Sequence, residues 1–298
     1  MKRIVICAGD PLGIGPQILV KALKKIKTKT AAFIVAGERT SLLKAGWQDN
    51  MGELVEVTSR RKKPAKPQPS KWGGEISYKA LIEAIEIVKA GKAHALVTAP
   101  ISKEAWQMAG VKFTGHTEVL KKYAAGEGAL MMFKSGKINC ALATEHLAIK
   151  DVSKGLSKQK IIQSVKIFAK QLGKNAAIAI SALNPHAGDG GKLGKEEAAV
   201  ISPAIKTLRR LGYNVSGPWP IDSLWSKHAN GQYAGIVCMY HDAALTGLKL
   251  AAKEPVIHIT AGLKFLRVSP THGTAFDIAA KNTANPQSML AAIKYAIS

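Results

Sequence analysis

The sequence predicts an α/β fold, and three observations predict it. Short apolar runs recur along all 298 residues, each closed by turn residues. Helix-period patterns lie between the runs. The runs are near-continuously apolar, which suits strands covered on both faces, as in parallel sheets flanked by helices. Strand–helix alternation over the whole length argues for a single architecture throughout.

In chain order the predicted strands are Arg3–Gly9, Ala31–Gly37, Leu54–Ser59, His94–Pro100, Ile138–Thr144, Ala176–Leu183, Gly235–Tyr240 and Pro255–Gly262. Helices are predicted over Ser77–Gly91, with Gly91 as the stop, over Lys158–Gly173 and over Lys195–Gly212. There is no internal repeat, and the one biased segment is the short PAKPQPSK stretch.

The length fits two domains or one large one. Hydrophobic residues are 47% and charged residues 21%, which excludes a wholly disordered chain. No apolar stretch is long enough for a membrane helix. The opening Met1-Lys2-Arg3 run meets Gly9-Asp10-Pro11 too soon for a signal peptide. Cys7, Cys140 and Cys238 all sit inside apolar runs and read as buried thiols of a reducing compartment, so a cytoplasmic protein is expected.

Lys and Arg number 43 against 20 Asp and Glu, a net charge of +23. Such an excess marks either a nucleic-acid binder or a surface whose field gathers anions. The basic residues are dispersed, the one dense cluster (Arg60-Arg61-Lys62-Lys63) lies in the Pro-rich loop, and no aromatic–basic alternation offers a stacking platform. The reading is therefore no nucleic acid and no membrane, with an anionic small molecule as the partner.

Ligands of open parallel sheets bind at the carboxyl ends of the strands. After the first strand comes GDPLGIGPQI, where Gly13, Gly15 and then Pro16 open a helix. It is either an anion-receptive helix start or a plain tight turn; the dinucleotide fingerprint is absent. Three more strands run into histidines: His146, His186, and His241 followed by Asp242. Each is either a satisfied half-buried imidazole or one of three donors that leave room for substrate on a divalent ion. Asp242 or Asp189 would then orient a ligand ring. The loop HAGDGGKLGKEE, with Gly190, Gly191 and Lys192, is either an anion cradle or a flexible surface loop. His116 between Gly115 and Thr117 binds substrate or faces water. Lys249 and Arg267, in apolar surroundings, either snorkel or await a phosphate or carboxylate. His94 and His228 read as structural, and His272 as a weaker candidate.

The segments GDPLGIGPQI, TAPISK, FTGHTEVL, ATEHL, LNPHAGDGGKLGKEE, GPWPIDSLW, MYHDAAL and GLKFLRVSPTHGTAFDIA run in order from residue 9 to 279. Through them the chain resembles the 4-hydroxythreonine-4-phosphate dehydrogenase family of pyridoxal phosphate biosynthesis. The resemblance implies two α/β/α domains around a cleft, related to isocitrate and isopropylmalate dehydrogenases. Residues 1–112 with 260–298 would form one domain. Residues 113–259 would form the other, carrying the metal ligands and a homodimer interface.

It also implies NAD or NADP and one divalent metal per site (zinc, magnesium or cobalt), held by His146, His186 and His241 across the dimer partners. Substrate contacts would fall on His116, Thr117, Lys249 and Arg267, and on His258, where the family usually has Asn. Gly13, Gly15, Gly190 and Gly191 would lie against the cofactor pyrophosphate. Asp222 and Asp242 would assist positioning or proton transfer. The implied reaction is oxidation of 4-phosphohydroxy-L-threonine at C3 with loss of CO₂, giving 3-amino-2-oxopropyl phosphate. The alternative is a dehydrogenase of 4-phospho-D-threonate or D-erythronate; behind it stands a metal-dependent hydrolase or transferase. Departures from the family pattern include Gln17 for a carboxylate, Ala243-Ala244 for Gln-Gly, Thr271 in place of Asp, and Thr144-Glu145-His146 for Thr-Thr-His.

Overall fold

The computed structural model describes residues 1–298 apart from the side chains of residues 125 and 127. Two compact units form, Met1–Ala129 with Ile257–Ser298, and Leu130–Val256. They divide at other points than the expected 112/113 and 259/260, so His116, Thr117 and His258 fall in the first unit. The physical reason is a helix at His116–Ala124, whose Val119, Leu120 and Ala124 join the first unit's core beside Trp106.

The first unit begins with β1 (Lys2–Cys7), α1 (Gly15–Lys25), β2 (Ala31–Gly37), α2 (Arg39–Lys44) and β3 (Glu53–Glu56). Then come α3 (Lys71–Lys89), β4 (Ala95–Thr98), α4 (Lys103–Met108) and α5 (His116–Ala124). β5 (Ala125–Ser135) and β6 (Ile138–Leu142) lead into the second unit, with α6 (Ile149–Gly155), α7 (Lys158–Leu172) and β7 (Ile178–Ser181). It continues through α8 (Ser202–Arg210), β8 (Val215–Trp219), α9 (Ile221–Ala229), β9 (Gly235–Cys238) and α10 (His241–Ala251). The chain returns to the first unit as β10 (Ile257–Leu263), β11 (Leu266–Pro270), α11 (Phe276–Ala279) and α12 (Gln287–Ile297).

Strand order in the first unit is β3-β2-β1-β4-β11-β10, and in the second β5-β6-β9-β7-β8. β4, β7 and β9 are buried throughout and β1 over Ile4–Cys7, as their apolar runs predict. The sheets are nonetheless mixed: β10 with β11 and β5 with β6 pair antiparallel. Three strands were not expected. β11 carries a buried cation, Arg267; β8 contains Gly217 and Pro218, which mark an edge strand; β5 contains Gly126 and Gly128 near its start.

α3 begins well before Ser77, because Ser70 caps it by accepting from the Gly73 N–H at 3.0 Å. The helix expected over Lys195–Gly212 opens instead as a π turn at Glu197–Ile201, just ahead of Pro203, whose missing N–H cannot extend a regular ladder.

The first core gathers Trp72, Ile76, Leu81, Ile85 and Trp106, whose indole N–H donates to Ser77 Oγ at 2.9 Å. The second gathers Phe133, Cys140, Leu142, Leu224, Cys238 and Leu248. All three cysteines are buried and free. The basic cluster lies in an irregular loop, with Lys63 Nζ 4.7 Å from the Trp72 ring centroid.

Candidate functional site

In the first unit the β10–β11 register sets His258 opposite Ser269 and Thr260 opposite Arg267. Arg267 is 2% exposed. Its Nη1 donates to Thr260 Oγ1 at 3.0 Å and to His258 Nδ1 at 3.1 Å, and its Nη2 to Thr98 Oγ1 at 2.6 Å. A guanidinium only donates, so His258 Nδ1 accepts, and the ring is the neutral tautomer with its proton on Nε2. Among the described residues no acid pairs with this guanidinium, and its Nε has no hydrogen-bond partner. Burial lowers its pKa to about 10. A buried cation without a counter-ion among the described residues is costly to keep charged.

His116 opens α5, with its ring edge-on to Trp106 at 5.8 Å between centroids. Burial, and then the charge of Arg267, holds its pKa well below the ordinary histidine value, and its buried Nε2 has no partner. Thr117 follows in the same helical turn. Thr98 and Thr260, which orient Arg267, were not singled out in the sequence. Their signal was slight: Thr98 ends a strand, and Thr260 faces Arg267 only through the hairpin register.

The glycines after β1 serve packing. The Leu12 N–H donates to Asp10 Oδ1, that of Gly13 to the Asp10 carbonyl and that of Ile14 to Thr274, so these amides are not free to cradle a pyrophosphate. A Cβ on Gly13 would meet Thr274 O at 2.9 Å, and one on Gly15 would strike Ala8 O. Asp10 is fully buried with Oδ2 unpaired, and burial raises its pKa to about 6.

In the second unit, His146 follows β6 and His241 opens α10, with ring centroids 5.4 Å apart. They line a cavity of about 390 Å³ with Leu147, Ile149, Tyr240 and Asp242. Asp242 Oδ1 lies 2.7 Å from His241 Nδ1, the carboxylate–imidazole contact that leaves Nε2 as the donor atom. His186 stands on a loop that turns through left-handed backbone. Among the described residues no three His, Cys, Asp or Glu side chains stand close enough together to hold a metal ion, so one chain assembles two of the three expected donors. Gly190 and Gly191 have positive φ (64° and 98°) with open space where a Cβ would be. Asp189 lies 3.8 Å from Lys192.

Lys249 is exposed in the last turn of α10; residues 241 to 249 span about 12 Å of helix axis, so it stands away from the imidazole pair. Asp222 is exposed in the first turn of α9. His94 and His228 are structural as expected: the first accepts from Arg3 N–H at 3.1 Å and the second from Asn139 N–H at 3.2 Å. His272 Nδ1 lies 3.2 Å from Gly273 O, and its Nε2 is buried without a partner.

A family model described as pyridoxal phosphate biosynthetic protein PdxA matches residues 10–296. The chain belongs to this family. A 4-hydroxythreonine-4-phosphate dehydrogenase of Caulobacter vibrioides is 36% identical, over 99% of this chain and 96% of the relative. A D-threonate 4-phosphate dehydrogenase of Pectobacterium atrosepticum is 33% identical, over 99% and 98%. The crystal structure of the Klebsiella pneumoniae 4-hydroxythreonine-4-phosphate dehydrogenase superposes with a TM-score of 0.86 at 29% identity, covering 99% of this chain and 97% of that one. As a member of the PdxA family the chain is a dehydrogenase of mixed α/β fold. The two adjacent imidazoles, one backed by a carboxylate, fit the nitrogen donors a zinc, cobalt or similar ion accepts. No helix among the described residues is long and apolar enough to cross a membrane.

Proposed function

We propose that this chain oxidises 4-phosphohydroxy-L-threonine at C3, with decarboxylation to 3-amino-2-oxopropyl phosphate, using NAD or NADP. The observation that carries the reading is Arg267, a buried guanidinium whose neighbours are two threonine hydroxyls and a neutral imidazole. Among the described residues it has no counter-ion, a phosphate or carboxylate would supply one, and its fork suits bidentate contact. His116, kept neutral, and Thr117 donate or accept hydrogen bonds around the same anion. Lys249 is an exposed point charge that would add to the substrate's anion contacts only if the bound substrate reaches it. Asp242 orients His241, and Asp222 takes a positioning or proton-transfer role.

When bound, the divalent ion supplies Lewis acidity toward the reacting oxygen and the nicotinamide accepts hydride. His146 and His241 would hold that ion from one subunit, with His186 of the partner subunit as third donor in a homodimer. The exposed Leu147 and Ile149 beside the pair (44% and 76% exposed) are consistent with a partner covering this rim. Three buried free cysteines are consistent with a cytoplasmic setting.

A second reading, oxidation of D-threonate 4-phosphate or the erythronate epimer, is favoured by His258. Its Nδ1 accepts from Arg267, and it stands where the family usually has Asn. The deciding experiment follows reduced nicotinamide absorbance with the amino acid and the two hydroxy acids side by side, with metal added or chelated. Turnover of the amino acid lost on chelation is expected. Metal-dependent turnover of the hydroxy acids alone would replace the first reading by the second, and no reduction with any of the three would overturn both.

A further inference from the structure

We infer that Glu197, acting with Asn184, is the positioning residue that holds the left-handed turn presenting His186. The turn is costly by itself. His186, Ala187 and Asp189 have φ of 52°, 54° and 42°, interleaved with Gly188 at 83° and Gly190 at 64°. L residues rarely adopt that region, so consecutive ones persist only where surrounding contacts impose them. His146 and His241 need no such device, since neither has positive φ.

The contacts come from one carboxylate. Glu197 is 6% exposed; its Oε1 accepts the backbone N–H groups of Leu183 and Asn184, both at 2.8 Å. Its Oε2 accepts Asn184 Nδ2 at 2.9 Å, and the same amide also donates to Glu196 Oε2 at 2.8 Å. Asn184 stands immediately before Pro185, where the turn starts. The same carboxylate also lies close to the middle of the turn, where a Cβ on Gly188 would come within 2.8 Å of Glu197 Oε2. Leu193 N–H closes the far side onto Gly188 O at 3.1 Å. A single side chain thus fixes the start of the turn and crowds its middle, and with them sets the direction in which His186 leaves the backbone.

The inference rests on the proposed reading of His186 as a metal donor, and the test separates the two. Glu197→Gln keeps Oε1 for the two amides but turns the second oxygen into an NH₂ facing the Asn184 amide. Asn184→Ala removes the other half of the clasp. On the complete protein, cobalt(II) affinity is measured by competition with a chromophoric chelator, and the visible cobalt spectrum is recorded. Both variants should bind cobalt ~10–100-fold more weakly, as loss of groups that orient ligands does elsewhere. Adding Ala187→Gly to Glu197→Gln should recover part of the affinity, because glycine removes the left-handed penalty at that position. Native affinity in Glu197→Gln and Asn184→Ala, with affinity lost in His186→Ala, overturns the inference and spares the metal reading. Unchanged affinity in His186→Ala overturns the metal reading itself. Should Glu197→Gln fail to fold, Asn184→Ala carries the same comparison.

Discussion

Two buried charges in the first unit behave oppositely. Arg267 is worth its burial only when an anion meets it, so Arg267→Lys, which keeps the charge but loses the fork, should raise KM by roughly tenfold or more with a smaller effect on kcat. An unchanged KM in steady-state assays would remove Arg267 from the substrate contacts. Asp10 is fully buried, with Oδ2 unpaired among the described residues. Its folded pKa is raised from 3.8 to about 6 by burial, so the folded state holds the proton more tightly than the unfolded chain. Its contribution to stability is fully present below pH 3.8 and is lost as pH rises through about 6. Asp10→Asn should therefore raise the unfolding free energy at pH 7 by about 1–3 kcal/mol, and the gain should shrink toward pH 4 in denaturant titrations.

Among elements, the junction of α3 and α4 depends on absent side chains. A Cβ on Gly74 would strike the Ala105 carbonyl, so Gly74→Ala should cost about 2–4 kcal/mol, measured as a lower denaturation midpoint. Gly91→Ala, at φ 70° with nothing near, should cost only about 1 kcal/mol. Strands such as Ala31–Gly37 were legible to the residue, because a continuous apolar run has no other solution between two helices. β11 was not, since Arg267 interrupts its apolarity, and a cation inside a strand makes sense only once Thr98, Thr260 and His258 surround it. The histidines were legible as strand-end residues. That His186 leaves from left-handed backbone was not, because the sequence there names no glycine at 186, 187 or 189, and the clasp comes from Glu197 farther along.

For the molecule as a whole, the proposed division of ligands across two copies gives a direct prediction. His146→Ala and His186→Ala variants should each be inactive alone. Mixed and allowed to exchange subunits, they should regain roughly a quarter of native activity, because half the dimers are then mixed and each carries one complete site. No recovery on mixing, in dimers shown to have exchanged, would place all three donors in one chain.

The first unit is written in two pieces around the second. β11 lies between β4 and β10, so a nascent chain that has emerged only as far as Val256 leaves β4 without its neighbour. Until Leu266–Pro270 is made, the all-apolar Ala95–Val97 stretch is an open edge able to pair with other chains. The uninterrupted second unit is free to close during synthesis, whereas the first must wait for its own ending.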